Sequence, residues 1–228
     1  MKHINFAKLT LAVAAVLVIS SFAAAQKPLT IDSFSSGFYT KTLTQGSGYY
    51  TQTGNMAGGS RDVYLGVCGD PCTANPFGQP VTFQVKKAAN GEPNALIFDT
   101  GYKANGNLQV IYGEGGNMNL NLSPYDRFRL YFDGADQGIN FDMIVYTDGN
   151  YSSTGCNFND PGLLTNFTLE VPFEYITGDA DFTDITAVGF SFDVAQGSGG
   201  EDWAVTYIEA VNGTIGGNSN IICGGPQN

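Results

Sequence analysis

Apolar and polar residues alternate with period two in run after run of this chain, and Gly, Asn, Asp, Ser or Pro bounds each run. Val63/Leu65/Val67, Val81/Phe83/Val85, Leu108/Val110/Tyr112, Phe128/Leu130/Phe132, Phe141/Met143/Val145, Phe167/Leu169/Val171/Phe173, Val188/Phe190/Phe192 and Trp203/Val205/Tyr207 each set one row of side chains on one face. Further strands are expected at Leu29 to Phe34, Tyr39 to Leu43, Tyr49 to Thr53 and Ala95 to Thr100. Past the first 25 residues no window of a dozen keeps a helical period. Strands with one apolar face must cover it with another apolar face, so the chain is expected to be all-β, a single sandwich or barrel.

The opening 25 residues are of a different kind. Lys2 and Lys8 precede an apolar run from Leu9 to Ile19, then Ala23, Ala24 and Ala25. That order reads as a cleaved signal peptide, residues 1–25, and the run is shorter than a membrane span needs. The expected protein is therefore exported, secreted or periplasmic, with a domain over residues 26–211 and a Gly/Asn-rich tail over 212–228. Without the leader, eight basic residues face 21 acidic ones, a formal charge of −13. Such a surface repels nucleic acid and anionic lipid. The only histidine, His3, leaves with the leader, which excludes Ser-His-Asp and Cys-His catalysis and any histidine-containing zinc site in the mature chain.

Cys68, Cys72, Cys156 and Cys223 form an even set in an exported chain and read as disulfides. Three pairings are possible. The Gly-Asp-Pro between Cys68 and Cys72 suits a tight turn and favours pairing those two, leaving Cys156 to pin the tail at Cys223. A four-cysteine zinc site is the alternative, disfavoured by an oxidising compartment.

LTIDSF, GGSRDVYL, YDRFRLYFDGAD, INFDMIVYTDG, LEVPFEYITGDADFTDITAVGFSFD and EDWAVTYIEAV, in this order from Leu29 to Val211, resemble the galactose-binding-domain-like jelly rolls. That group includes many carbohydrate-binding modules and exported bacterial proteins. The resemblance implies an antiparallel jelly-roll β-sandwich, and a structural calcium between its first and last strands, for which Asp32 and Asp202, with Glu201, match by place. It fixes no ligand, because one fold carries many functions.

The residues themselves supply several candidate sites. Gly58 and Gly59 suit a turn into the strand that begins at Arg61-Asp62, and an adjacent opposite-charge pair there reads as a local ion pair, not as a phosphate cradle, which would need a following helix with Lys and Ser or Thr. The acidic turn with Asp179, Asp181 and Asp184 offers hard oxygen ligands for calcium, against the plainer reading of a capping turn. On 127–132 the outward residues are Arg127, Arg129 and Tyr131, and on 141–146 Asp142, Ile144 and Tyr146. If these strands pair as a hairpin, one face gathers aromatic rings and charged hydrogen-bonding groups, which suits a sugar; the plainer alternative is cross-strand charge pairing. Ala187, Gly189, Ser191 and Asp193 would add a strip of small residues, as a shallow groove needs. Tyr49 and Tyr50 are candidates at one end of the sandwich, whereas Trp203 shares a row with Val205 and Tyr207 and reads as core.

Catalysis finds little apparatus here. Glycosidases need two carboxylates across a cleft, and 21 acidic residues make any pair unspecific; jelly-roll polysaccharide lyases that use Tyr and Arg commonly add a His. The expected function is a secreted, non-catalytic module that binds extracellular polysaccharide or glycan, the alternative being a structural or adhesive surface protein. Mass spectrometry of the exported protein after alkylation without reductant is expected to show no free thiol; two or more alkylated cysteines would remove the disulfide reading.

Overall fold

The computed structural model describes residues 26–67, 77–86, 93–115, 118–136, 138–158, 164–194, 202–213 and 220–224. Cys68, Cys72 and Glu201 lie outside the described residues. Those described form fifteen strands: β1 Leu29–Asp32, β2 Tyr39–Leu43, β3 Ser47–Thr53, β4 Ser60–Val67, β5 Val81–Lys86, β6 Ala95–Thr100, β7 Gly106–Tyr112, β8 Arg127–Ala135, β9 Ile139–Thr147, β10 Asn150–Phe158, β11 Leu164–Pro172, β12 Thr177–Gly178, β13 Ala187–Val194, β14 Asp202–Val211 and β15 Asn220–Ile222. They make two sheets. The eight-stranded sheet runs β15-β11-β8-β14-β6-β5-β2, with β1 also on β14, and the seven-stranded sheet runs β12-β10-β9-β13-β7-β4-β3. Every pairing is antiparallel except that of β11 with β15. The chain is the expected jelly-roll β-sandwich.

The period-two rows explain why it closes this way. Phe128, Leu130 and Phe132 of β8 and Phe141, Met143 and Val145 of β9 are all buried. Both strands must turn these rows toward one core, and they do so by lying in different sheets. β8 accordingly pairs with β11 and β14, and β9 with β10 and β13. The expected hairpin between residues 127–132 and 141–146 is therefore corrected: the two strands face each other across the core. Trp203 lies there as expected, 4.4 Å from Phe192 and 6.1 Å from Phe132 between ring centroids.

The tail does more than lie over the surface. β15 adds to the edge of β11, and Cys223, fully buried, is disulfide-bonded to Cys156 of β10 with 5.3 Å between their Cα atoms. The bridge thus joins an outer strand of one sheet to an outer region of the other.

A second link between the sheets is ionic. Gly58 and Gly59, with φ of 72° and 74°, make the expected turn into β4. Arg61, however, shares the inward row of Val63 and Leu65, so its side chain is fully buried and ion-paired with Asp32 of β1, itself fully buried. The expected local pair with Asp62 does not form; Asp62 points outward and accepts from Thr51. Every oxygen of the Asp32 carboxylate is engaged, Oδ1 by the Phe34 N–H at 2.7 Å and Oδ2 by Arg61 and by the Tyr112 hydroxyl at 2.8 Å. Arg61 Nε also donates to Gln52 Oε1 at 3.0 Å, and its guanidinium lies 5.3 Å from the centre of the Phe34 ring. Burial pushes the Asp32 carboxyl above the usual carboxylate range, opposed by these donors, and raises the Tyr112 phenol well above its own. Removing one member of such a pair strands the other in a dry site. Arg61→Met is expected to cost about 3–5 kcal/mol of unfolding free energy in urea titrations, while Asp32→Asn combined with Arg61→Met recovers part of that loss; a cost below about 1 kcal/mol would mean that water reaches the pair.

Candidate functional site

The sandwich presents two outer faces, and they differ in how their polar groups are used. On the eight-stranded sheet, one transverse row crosses Ile222, Glu170, Arg129, Glu209 and Thr30 on five neighbouring strands. Glu170, fully buried, accepts from Arg127 Nη1 at 2.8 Å and Arg129 Nε at 2.9 Å, and Arg127 also holds Asp126 at 2.7 Å. Arg129 lies 3.6 Å from Glu209, whose carboxylate accepts the Tyr131 hydroxyl at 2.9 Å. Arg127, Arg129 and Tyr131 do point outward as their spacing requires, but they are hydrogen-bonded to Asp126, Glu170 and Glu209 and, from Arg129 Nη1, to the Tyr131 hydroxyl at 3.2 Å. The plainer alternative of cross-strand charge pairing describes this face.

The other face is open. Strand register on the seven-stranded sheet lines up three long outward rows that run across the strands. One is Ser47, Gly66, Asn107, Asp193, Asn140 and Asn157; the next is Tyr49, Tyr64, Gln109, Ser191, Asp142 and Gly155; the third is Thr51, Asp62, Ile111, Gly189, Ile144 and Ser153. A shorter row holds Ala187, Tyr146 and Tyr151. Small residues at the centre leave a hollow of about 520 Å³ over β7, β13, β9 and β10, lined among others by Asn107, Gln109, Asp142, Tyr146, Ser191 and Asp193. It continues past Ile111 and Tyr146 into a second hollow of about 860 Å³ bounded by Glu114, Asn119, Asp148, Tyr151 and Asp184. A trough therefore crosses the sheet from strand to strand.

Two glycines make the trough. A Cβ on Gly189 would come within 2.9 Å of Ile144 Cγ2 and 3.6 Å of Ile111 Cγ1, filling the apolar floor between them. A Cβ on Gly155 would lie 2.2 Å from Asp142 Oδ1, so the glycine is what lets the carboxylate lie over β10. Asp142 is exposed to solvent, yet partial enclosure by the trough, and then the charge of Asp193, hold its carboxyl above the usual range. Asp193 in turn accepts from Asn107. At the β3 end Tyr49, 80% exposed, lies 4.9 Å from Tyr64 between ring centroids, and at the β10 end Tyr151 is 61% exposed. Tyr50 faces the other way, half-buried, with the Lys41 ammonium 5.1 Å from its ring centre.

Of the expected ligand residues, Asp142, Tyr146 and Tyr49 thus belong to this face, together with the small-residue strip of β13. Asn107, Gln109, Ser153, Gly155 and Tyr151 were not singled out by sequence reasoning. Three of them come from β10, whose sequence NYSSTGCNF turns Ser152, Thr154 and Cys156 to the inside and so carries no apolar alternation.

No protein-family model and no curated protein sequence matches the chain. Among solved structures it is similar to the family 11 carbohydrate-binding module from Clostridium thermocellum, solved in complex with a β-1,3-1,4-mixed-linked tetrasaccharide, at 12% identity and a TM-score of 0.40 over 83% of this chain and 98% of that one. It is also similar to a family 28 carbohydrate-binding module specific for non-crystalline cellulose, at 19% identity and a TM-score of 0.38 over 58% and 80%. An exo-β-agarase gives 12% identity and a TM-score of 0.39 over 59% of this chain and 22% of its own. At such scores these neighbours assign neither ligand nor residue roles to this chain.

The carboxylates expected to hold calcium do not converge. Asp32 is committed to Arg61 and Tyr112, and it pairs with Ile208, six positions along β14 from Asp202, roughly 20 Å at strand spacing. Asp179, Asp181 and Asp184 are exposed on the turn before β13, where Asp181 Oδ1 accepts the Thr183 N–H at 2.8 Å and its hydroxyl at 2.7 Å; this is a capping turn without a helix. Among the described residues no three of His, Cys, Asp or Glu are placed to hold a metal ion. Asp202 instead lies opposite Asp99 and beside Asp136, and partial burial followed by these two charges pushes its carboxyl up to about 6. A carboxyl raised above its unfolded value favours the fold below that value, and the gain fades as pH rises through the folded one. The melting temperature is expected to rise between pH 7.5 and pH 5, and Asp202→Asn to flatten that rise; an unchanged profile in the variant would remove the assignment.

Proposed function

We propose that this chain is an exported, non-catalytic carbohydrate-binding module that takes an extended glycan in the trough of its seven-stranded sheet. The observation that carries the reading is the combination at one open face of exposed tyrosine rings, an apolar floor kept low by Gly189, and amide and carboxylate groups along the row from Gln109 to Asp142. Sugar rings stack their C–H faces on aromatic rings and give their hydroxyl hydrogens to acceptors, so a trough with both suits them. Its length across several strands suits a chain of sugars more than a single one. The mature chain's lack of histidine and the absence of any catalytic motif in its sequence support a binding role. The likeness to carbohydrate-binding modules agrees with this reading and adds no residue to it.

Affinity electrophoresis of the mature protein through gels containing mixed-linked β-glucan, hydroxyethylcellulose, xylan or agarose is expected to show retention on at least one. Tyr146→Ala and Gly189→Val should then weaken binding by about ten-fold or more, the loss of one stacking contact or of floor space being worth about 1–3 kcal/mol. Arg129→Ala, on the opposite face, should leave affinity unchanged. No retention on any polysaccharide would end the reading in favour of a structural or adhesive role, and retention indifferent to Tyr146 and Gly189 would move the site elsewhere.

A further inference from the structure

The distribution of charge is sharper than the net value suggests. In all seven strands of the trough-bearing sheet the only basic residue is Arg61, and its side chain is turned inside and spent on Asp32. Arg127 and Arg129 lie on the opposite face and are paired there. Lys41 sits against the rings of Tyr39 and Tyr50, and Lys103 against those of Phe77 and Tyr102 in the turn before β7. The outward rows, by contrast, carry Asp62, Asp142 and Asp193, and the walls of the trough add Glu114, Asp148 and Asp184. Asp142 and Asp193 stand in adjoining rows of the trough, close enough that the charge of Asp193 adds to partial burial in raising the Asp142 carboxyl.

An ionised carboxylate accepts hydrogen bonds and donates none. It therefore binds sugar hydroxyls and ammonium groups, whereas a uronate or sulfate ester in the same trough meets like charge with no basic side chain among the described residues that line it. Resting on the reading of this face as the glycan site, we propose that the trough is a charge filter: it accepts uncharged and amine-bearing polysaccharides and excludes those with carboxylate or sulfate groups, with Asp142 and Asp193 as the specificity-determining side chains. The field of the whole acidic protein repels polyanions from every direction, but only local charges act strongly within a Debye length of about 10 Å at 0.1 M salt. Changing charges on the two faces separates the two contributions.

The test is affinity electrophoresis at about 0.1 M ionic strength with polymers in neutral and anionic pairs: hydroxyethylcellulose beside carboxymethylcellulose, mixed-linked β-glucan beside its sulfated form, agarose beside a sulfated galactan, and glycol chitosan as the amine-bearing member. Each neutral polymer that is retained is expected to bind about ten-fold or more tightly than its anionic partner, with the gap narrowing in 0.5 M salt as screening shortens to a few ångströms. Asp142→Asn combined with Asp193→Asn should narrow the gap without salt. Asp99→Asn combined with Asp136→Asn, which removes the same charge from the other sheet, should leave it. Melting curves check that both variants fold, and the salt dependence of the unaltered protein stands if either does not. Equal retention of neutral and anionic partners, with Tyr146→Ala weakening both, would overturn the filter and keep the site. A gap closed by the control pair and not by Asp142 and Asp193 would overturn it as a property of this face. Failure to retain any neutral or amine-bearing polymer would overturn the site and the filter together.

Discussion

Arg61 and Asp32 meet in the dry interior where β1 of one sheet faces β4 and β7 of the other, and the placing of much else follows from that contact. The pair is fully enclosed, so its worth lies less in net stability than in register, because slipping β4 by one residue would bring Arg61 to the surface and strand Asp32. With β4 fixed, the pairing of Tyr64 with Gln109 and of Asp62 with Ile111 is fixed too, and so are two of the rows that cross the trough. The one basic residue of that sheet is consumed in holding it in place, which is also why the open face carries acid alone.

The two outer faces show how similar inventories serve different ends. Charges along the Glu170, Arg129 and Glu209 row of the eight-stranded sheet alternate in sign from strand to strand, and Glu170 is buried between two arginines that it pairs with. Outward charges among the described residues of the seven-stranded sheet have one sign, and the residues between them are small. A closed network rigidifies; an open one has hydrogen bonds left to make.

Much of the fold was legible in the sequence, because large apolar residues at alternate positions have one way to be buried. Phe128, Leu130 and Phe132 announce a strand wherever it lies. What they do not announce is the neighbour: β8 and β9 are adjacent in sequence and lie in different sheets, since both need the same core, and a hairpin inferred from adjacency brought Arg127 and Arg129 to a face that Asp142 and Tyr146 do not share. Arg61 was visible in the inward row by counting from Val63, but a charged residue is habitually read as exposed. β10 stayed hidden because Ser152, Thr154 and Cys156 make an inward row without large apolar groups, and with it went Gly155, Ser153 and Tyr151. The strip from Ala187 to Asp193 was legible because its small residues alternate against Val188, Phe190 and Phe192.

The disulfide gives the trough a mechanical partner. β15 holds to β11 through a three-residue parallel ladder, a contact that a pull on the end of the chain would ordinarily peel away first. Cys223 follows that ladder directly and is bonded to Cys156, so tension arriving from the C-terminal side bypasses the ladder and enters β10. The next residue along β10 is Gly155, which seats the carboxylate of Asp142. Load on the tail is thus borne by β10, and a covalent bond 67 residues across the sequence couples the C-terminal end to the strand that seats Asp142.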